Sequence, residues 1–385
     1  MRAAVLQKDS PVTIEVVEQA ARFRDLRQEW NALLQASASD CLFLTWEWLY
    51  TWWQRLSGKN SLFLLLVRFG EELVAIAPMM IRPRQLTRLL PFQTLEFLGT
   101  GSAGSDYLDL IIRRGMEEPV LSALSEHLCG KKLIAKLAQL KKGSSKAAQV
   151  ALMLKERGWS HAHYITNVCP FVDLSGHTWT SYLGTLGPAH RYNYQRRLRQ
   201  LRKSFEVRFG RAESEREGQQ ALEVLVALHH RRWRPRGGSD ALHTENLIAF
   251  HREFTRTALE RGWLRLFTLW LGEKPAASLY GFRYGRTFYF YQSGFDPAYA
   301  KNSVGLVTMG LSIESALEEG AEEYDLLHGD EEYKFLWARQ ERQLERLEIF
   351  PPCVSGLLYK QAVGFGRAAK RWFGGNYRIP VREHS

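Results

Sequence analysis

Cysteine is scarce in this sequence. Cys41, Cys129, Cys169 and Cys353 lie far apart, with no CxxC pair and no metal-ligand spacing to histidine. That excludes a disulfide-stapled scaffold and a zinc finger, and implies reduced thiols, a cytoplasmic setting and no bound metal. Long apolar runs are also missing. The longest candidate, Leu62–Val67, is strand-sized, well short of the roughly twenty residues of a membrane span. The start, MRAAVLQKDSPVTIEVVEQ, lacks the charged, apolar and small-residue order of a secretory leader. Acidic residues are outnumbered, 41 against 52 Lys and Arg, for a net charge of +11. Such a balance favours an anionic partner: nucleic acid, a phosphorylated cofactor or an anionic membrane.

What is present suffices for two substantial cores. At 385 residues, with 45% hydrophobic and 12% aromatic side chains, the chain implies two domains or one built from two halves.

The stretch from Arg286 to Lys334 organises the rest. Thr287–Phe295 is rich in aromatic residues and predicts a buried strand. Asp296–Val304 is turn chemistry. Leu306, Met309, Ile313 and Leu317 then recur at helical spacing, with Asn302 or Ser303 as N-cap and Gly320 past the end. Glu323–His328 predicts a second strand, running into the polar turn Gly329–Lys334. Strand, helix and strand over this length form a crossover between parallel strands. The helix start leaves free N–H groups where an anion could sit. A purely structural crossover fits the same pattern.

Upstream, Ala20–Gln35 and Trp46–Leu56 read as helices, the second carrying Trp46, Trp48, Trp52 and Trp53, which are expected to anchor packing. Leu62–Phe69 and Leu73–Met80 flank Gly70-Glu71 as a hairpin. Strands follow at Leu95–Gly99 and Tyr107–Ile112, around the glycine-rich loop Gly99–Ser105. That loop lacks the lysine and following helix of a phosphate cradle. Helices are expected at Glu117–Cys129 and Val150–Arg157, while Lys131–Lys146 resists assignment. The second half echoes the first: Leu264–Leu271, Gly272-Glu273 and Pro275–Arg283 repeat the hairpin, which suggests duplicated α/β modules. Between the halves, His190–Lys203 is a helix with a Tyr194, Leu198, Leu201, Phe205 stripe that turns Arg196, Arg199 and Lys203 outward. Its basic face is either merely solvated or meets phosphate or an acidic surface. Leu222–Arg232 and Leu247–Glu260 are further helices, and Ser355–Phe373 is a basic tail helix that either packs on the body or touches a membrane.

The ordered series RYNYQRRLRQL, LHHRRW, YQSGFDPAYAKNSVG and YDLLHGDEEYK resembles the GNAT-superfamily acyltransferases of the CelD type, named from cellulose and exopolysaccharide loci and related to the Fem aminoacyl transferases. The resemblance covers roughly Phe43–Leu347. It implies an α/β fold of two tandem GNAT-like mixed sheets. The expected division is an N-terminal half over 1–170, a catalytic half over 171–350 and a basic tail over 351–385. It implies acyl-CoA as co-substrate, with its phosphates at Lys301, Asn302, Ser303, Val304 and Gly305, beside Ser293 on the preceding strand. Only Gly305 stands where the superfamily loop usually has two close glycines.

Acyl transfer needs a base for the attacking amine or hydroxyl. His328, Asp330 and Asp325 are the candidates, although strand alternation would turn Asp325 and His328 to opposite faces. Arg191, Arg196, Arg232 and Trp233, with Tyr333 and Lys334, are candidate substrate contacts. The function expected is acyl transfer to a glycan, glycolipid or small metabolite, in exopolysaccharide or cell-envelope biosynthesis. Two alternatives stay open: a Fem-like transferase using aminoacyl-tRNA, and a non-catalytic component of a polysaccharide-synthesis complex, either at the inner membrane face or free of it. The first half is expected to be a degenerate packing partner.

Overall fold

A computed structural model of the chain describes residues 12–87, 90–234 and 241–361. Thirteen strands form one mixed sheet. The first half supplies β1 (Val12–Val17), β2 (Ser61–Phe69), β3 (Glu72–Thr87), β4 (Leu90–Phe97), β5 (Ile111–Ile112), β6 (Ile134–Lys141) and β7 (Ser160–Asp173). The second supplies β8 (Val207–Arg211), β9 (Leu264–Leu271), β10 (Lys274–Tyr284), β11 (Thr287–Phe295), β12 (Glu323–Asp325) and β13 (Gln340–Phe350).

The two halves share one plan. β1, β2, β3 and β4 pair antiparallel in sequence, and β4 then pairs parallel with β6. β8, β9, β10 and β11 repeat that run, and β11 pairs parallel with β12. The fold is thus a tandem, GNAT-like α/β fold, and the parallel crossover expected after Arg286 is present. The last strands are exchanged. β7 pairs with β12 of the other half, β13 pairs with β6, and the two exchanged strands pair with each other from Gln340–Phe171 to Phe350–Ser160. Position 170 falls inside β7, so the chain passes between halves along a strand rather than through a linker.

Helices cover both faces. α1 (Ala20–Asp25), α2 (Arg27–Gln35), α3 (Trp46–Leu56), α4 (Glu117–Lys131) and α5 (Lys146–Glu156) belong to the first half. The single helix expected over Ala20–Gln35 is broken at Leu26, whose N–H bonds back to Phe23 while its carbonyl starts the next helix. Within the unassigned lysine-rich segment Ile134–Lys141 is β6, with Ile134, Ala135, Leu137 and Leu140 buried. The second half carries α6 (Trp179–Thr185), α7 (Pro188–Ser204), α8 (Glu215–Trp233), α9 (Glu245–Glu260), α10 (Val304–Glu318) and α11 (Glu332–Trp337).

Apolar burial joins the halves. Trp48 is fully buried and meets Phe250, Phe254 and Phe282 edge-on at 4.7–6.2 Å. Its indole N–H donates to Ser105 Oγ at 2.8 Å, as a buried indole must. On the opposite face α10 lies close against α7, because Gly310 leaves room for the Tyr194 ring. The expected tail helix is present as far as Gln361; its remainder lies outside the described residues. Among the described residues no helix is long and apolar enough to cross a membrane.

Candidate active site

Two features of the second half build a site. β11 and β12 pair only from Thr287–Glu323 to Tyr289–Asp325, after which the strands part. β11 continues to Phe295, so its distal main chain faces a gap. A short 3-10 turn, Pro297–Asn302, then delivers the chain to α10. Ser303 sits between them in the left-handed region at φ +57° and makes no side-chain cap. The first N–H groups of α10 therefore have no side-chain acceptor from the N-cap, and point outward with the positive end of the helix dipole.

The gap widens into a cleft of about 340 Å³, open at its mouth. Ser293, Gly294 and Phe295 line it from β11, Gly305 and Met309 from α10, and Tyr333 and Trp337 from α11. Arg232 stands at the mouth, its Nη1 donating to Ser293 Oγ at 3.3 Å and its guanidinium 5.0 Å from the Phe295 ring. His229, buried beside it, donates from Nδ1 to the Ser293 carbonyl at 3.2 Å.

The strand expected over Glu323–His328 ends at Asp325. The Asp325 carboxylate accepts from the Leu327 N–H at 2.8 Å, and Leu327 takes φ +55°. This local bond turns the chain out of the sheet. Asp325 itself is fully buried, accepting from the Tyr107 hydroxyl at 2.7 Å and from Arg342 at 3.2 Å. Burial pushes its pKa up to about 7 against the pull of Arg342.

His328 emerges from that turn, part-exposed, and meets a residue of the first half. Its Nδ1 lies 2.9 and 3.0 Å from the two carboxylate oxygens of Asp106, and its backbone N–H donates to Asp106 Oδ2 at 2.9 Å. Asp106 is fully buried and also accepts from Gln139 Nε2 at 2.7 Å. Its charge raises the His328 pKa, outweighing burial. With Nδ1–H given to the carboxylate, Nε2 is the nitrogen that can take a proton. Gly104, at φ +62°, packs beside the imidazole: a side chain there would meet His328 Cε1 at 3.7 Å. Tyr291 closes the same corner, its hydroxyl donating to the Ala103 carbonyl.

The other candidates fall into separate places. Asp330 is exposed. Lys334 is buried and donates to the His328 carbonyl at 2.7 Å and to Glu331 at 3.0 Å, so it holds the turn that carries the imidazole. Lys301 and Asn302 precede α10, with the Lys301 carbonyl accepting from Arg197, and Val304 is buried. Tyr333 lines the cleft. Trp233 lies under the Arg232 guanidinium at 5.4 Å. Arg191 bonds the Gly184 carbonyl, and exposed Arg196 reaches Asn193, which lines the cleft. Asp106 was not singled out as a site residue, since it lies 222 positions from its partner. Its one local signal is an acid placed directly after a glycine-rich loop and before an apolar segment.

Residues 188–335 match the model of the acetyltransferase (GNAT) domain. The match lies within the second half and supports an acyltransferase there. No curated protein matches the chain in sequence. Among solved structures, FemX resembles it at TM-score 0.62 and 12% identity, over 87% of this chain and 98% of that one. A protein of unknown function from Bacteroides thetaiotaomicron gives 0.53 and 12%, over 88% and 99%. The C-terminal domain of a putative lysylphosphatidylglycerol synthetase from Agrobacterium fabrum gives 0.53 and 10%, over 94% and 99%. At such identities the likeness is one of fold, and it extends over both halves.

Proposed function

We propose that this protein transfers the acyl group of acyl-coenzyme A to an amine or hydroxyl of a glycan, glycolipid or small metabolite. The observation that carries this reading is the uncapped start of α10 beside the parting of β11 and β12, opening into the cleft. Donor phosphates would meet the N–H groups of Val304 and Gly305, with Lys301 and Arg232 adding charge. Gly305 fits that role: even a Cβ there would meet only the Phe295 ring at 3.6 Å, so the approach is open. The corresponding helix of the first half does not fit. α4 opens with Glu117 and Glu118, which would repel phosphate, and this supports a single donor site.

A bound thioester supplies an activated acyl carbon; the chain supplies the base. In this reading His328 Nε2 takes the proton of the attacking amine or hydroxyl. Asp106 fixes the tautomer and stabilises the imidazolium that results. The site is then composite, with the first half holding the base supplied by the second. Glycans of the exopolysaccharide or cell envelope are the acceptors that the CelD resemblance implies. A Fem-like aminoacyl-tRNA donor is the second reading. It is favoured by the exposed basic face of α7, where Arg196, Arg199 and Lys203 project.

A thermal melt tests the donor. A ligand present at about a hundred times its dissociation constant adds roughly 2.7 kcal/mol to the folded state. Acyl-CoA should raise the midpoint, and Ser303→Glu should abolish the shift while the apo protein stays folded. A midpoint raised by charged tRNA and by no thioester would replace the first reading with the second.

A further inference from the structure

The cleft is larger and more apolar than an acetyl group needs. It passes beneath α10 beyond β11 and reaches β10, where Ala277, Ser278 and Leu279 are each about 1% exposed or less yet line it. Its inner wall is completed by Phe290, Met309 and Trp337.

The hydroxyls in that wall are already satisfied. Ser278 donates to the Phe267 carbonyl at 2.9 Å, and Thr308 to the Val304 carbonyl at 2.8 Å. His190 packs edge-on to Trp337 at 4.6 Å, and burial keeps its imidazole neutral by lowering its pKa. Arg232, the one charged residue among those lining the cleft, is at the mouth. The charged end therefore coincides with the start of α10 and the apolar end lies below it. A volume of about 340 Å³ lies within the range of small-ligand sites and leaves room for a chain beyond an acetyl group.

We propose that the transferred group is a hydrocarbon acyl chain longer than acetyl, lodged beneath α10 against Leu279, Phe290, Met309 and Trp337. The inference rests on the acyl-CoA reading above and names its donor class.

The test is a series of dissociation constants for CoA and for acetyl-, butyryl-, hexanoyl- and octanoyl-CoA, measured by calorimetry on the full chain. Affinity should rise with chain length by up to about fourfold per methylene buried. Leu279→Trp should erase that rise by filling the inner end. Met309→Ala should extend it to longer chains, and it keeps the test decisive if the tryptophan variant does not fold. A flat series, or one in which acetyl-CoA binds best, overturns the long-chain inference and leaves the donor reading intact. Failure of every CoA species to bind overturns both.

Discussion

Asp106 grips His328 twice, once through the imidazole Nδ1 and once through the backbone N–H, with all three contacts between 2.9 and 3.0 Å. The carboxylate belongs to the first half and the histidine to the second. A half that reads as a packing partner therefore sets the tautomer and the basicity of the part-exposed His328 imidazole.

If that imidazole is the base, its removal has a defined signature. His328→Ala should lower kcat by about a hundredfold to ten-thousandfold. Asp106→Asn should act less severely but move the acid limb of the pH–rate profile to lower pH, because Asp106 is the main cause of the raised His328 pKa. A profile unchanged in Asp106→Asn would show that Asp106 has no part in setting the base. The stability effect runs the same way. The pair's contribution is complete below the ordinary histidine pKa and is lost as pH rises through the raised folded value.

Asp325 should behave as a structural acid. Its pKa of about 7 lies above the ordinary 3.8, chiefly through burial, so the fold favours its protonated form. That contribution is full below about 4 and disappears as pH rises through 7. Asp325→Asn should flatten the dependence of the melting midpoint on pH across this window, since an amide oxygen still accepts from Tyr107. Asp325→Ala leaves Arg342 paired with Glu323 but strips the buried Tyr107 hydroxyl and the Leu327 N–H of their acceptor, and should cost about 1–3 kcal/mol.

Local pattern made much of the fold legible. β9, β11 and α3 begin and end where aromatic and apolar periodicity places them, and the hairpin repeat announced the two halves. What local pattern could not carry was pairing. Nothing in Ser160–Asp173 or Gln340–Phe350 distinguishes a strand that stays in its own half from one that crosses. The exchange follows from where each finds an unpaired neighbour. The Asp106–His328 contact is hidden for the same reason, depending on the register of β4, β6 and β12 together. The early end of β12 is different: Asp325 was visible, but its bond to Leu327 N–H beat the strand propensity of the apolar residues after it.

Two glycines of α10 should respond oppositely to alanine. A Cβ on Gly310 would overlap the Tyr194 ring, and that ring is held between Trp179 and Trp337. Gly310→Ala should destabilise by about 1–3 kcal/mol as α7 is pushed away. Gly305→Ala meets only the Phe295 ring at an ordinary 3.6 Å and should leave the denaturant midpoint within about 0.5 kcal/mol of the parent or raise it. Equal losses in the two variants would contradict the close approach of α7 and α10.

Ser303 tests whether the start of α10 was shaped for an anion. A serine at φ +57° is held in a region that costs of order 1–3 kcal/mol for a residue with a Cβ, and its hydroxyl makes no cap in return. A capping serine in the ordinary extended conformation would satisfy the second or third N–H of the helix; this one leaves them open. Ser303→Gly should therefore preserve or slightly raise stability, and it should keep the donor-induced rise in melting midpoint, because the backbone N–H groups are untouched. Ser303→Glu should fold equally well, since an acid is favourable near a helix start, but it should abolish that rise by occupying the site with its own charge. The comparison is made at low salt, where screening is least. A donor shift that survives Ser303→Glu would move the phosphate site away from α10.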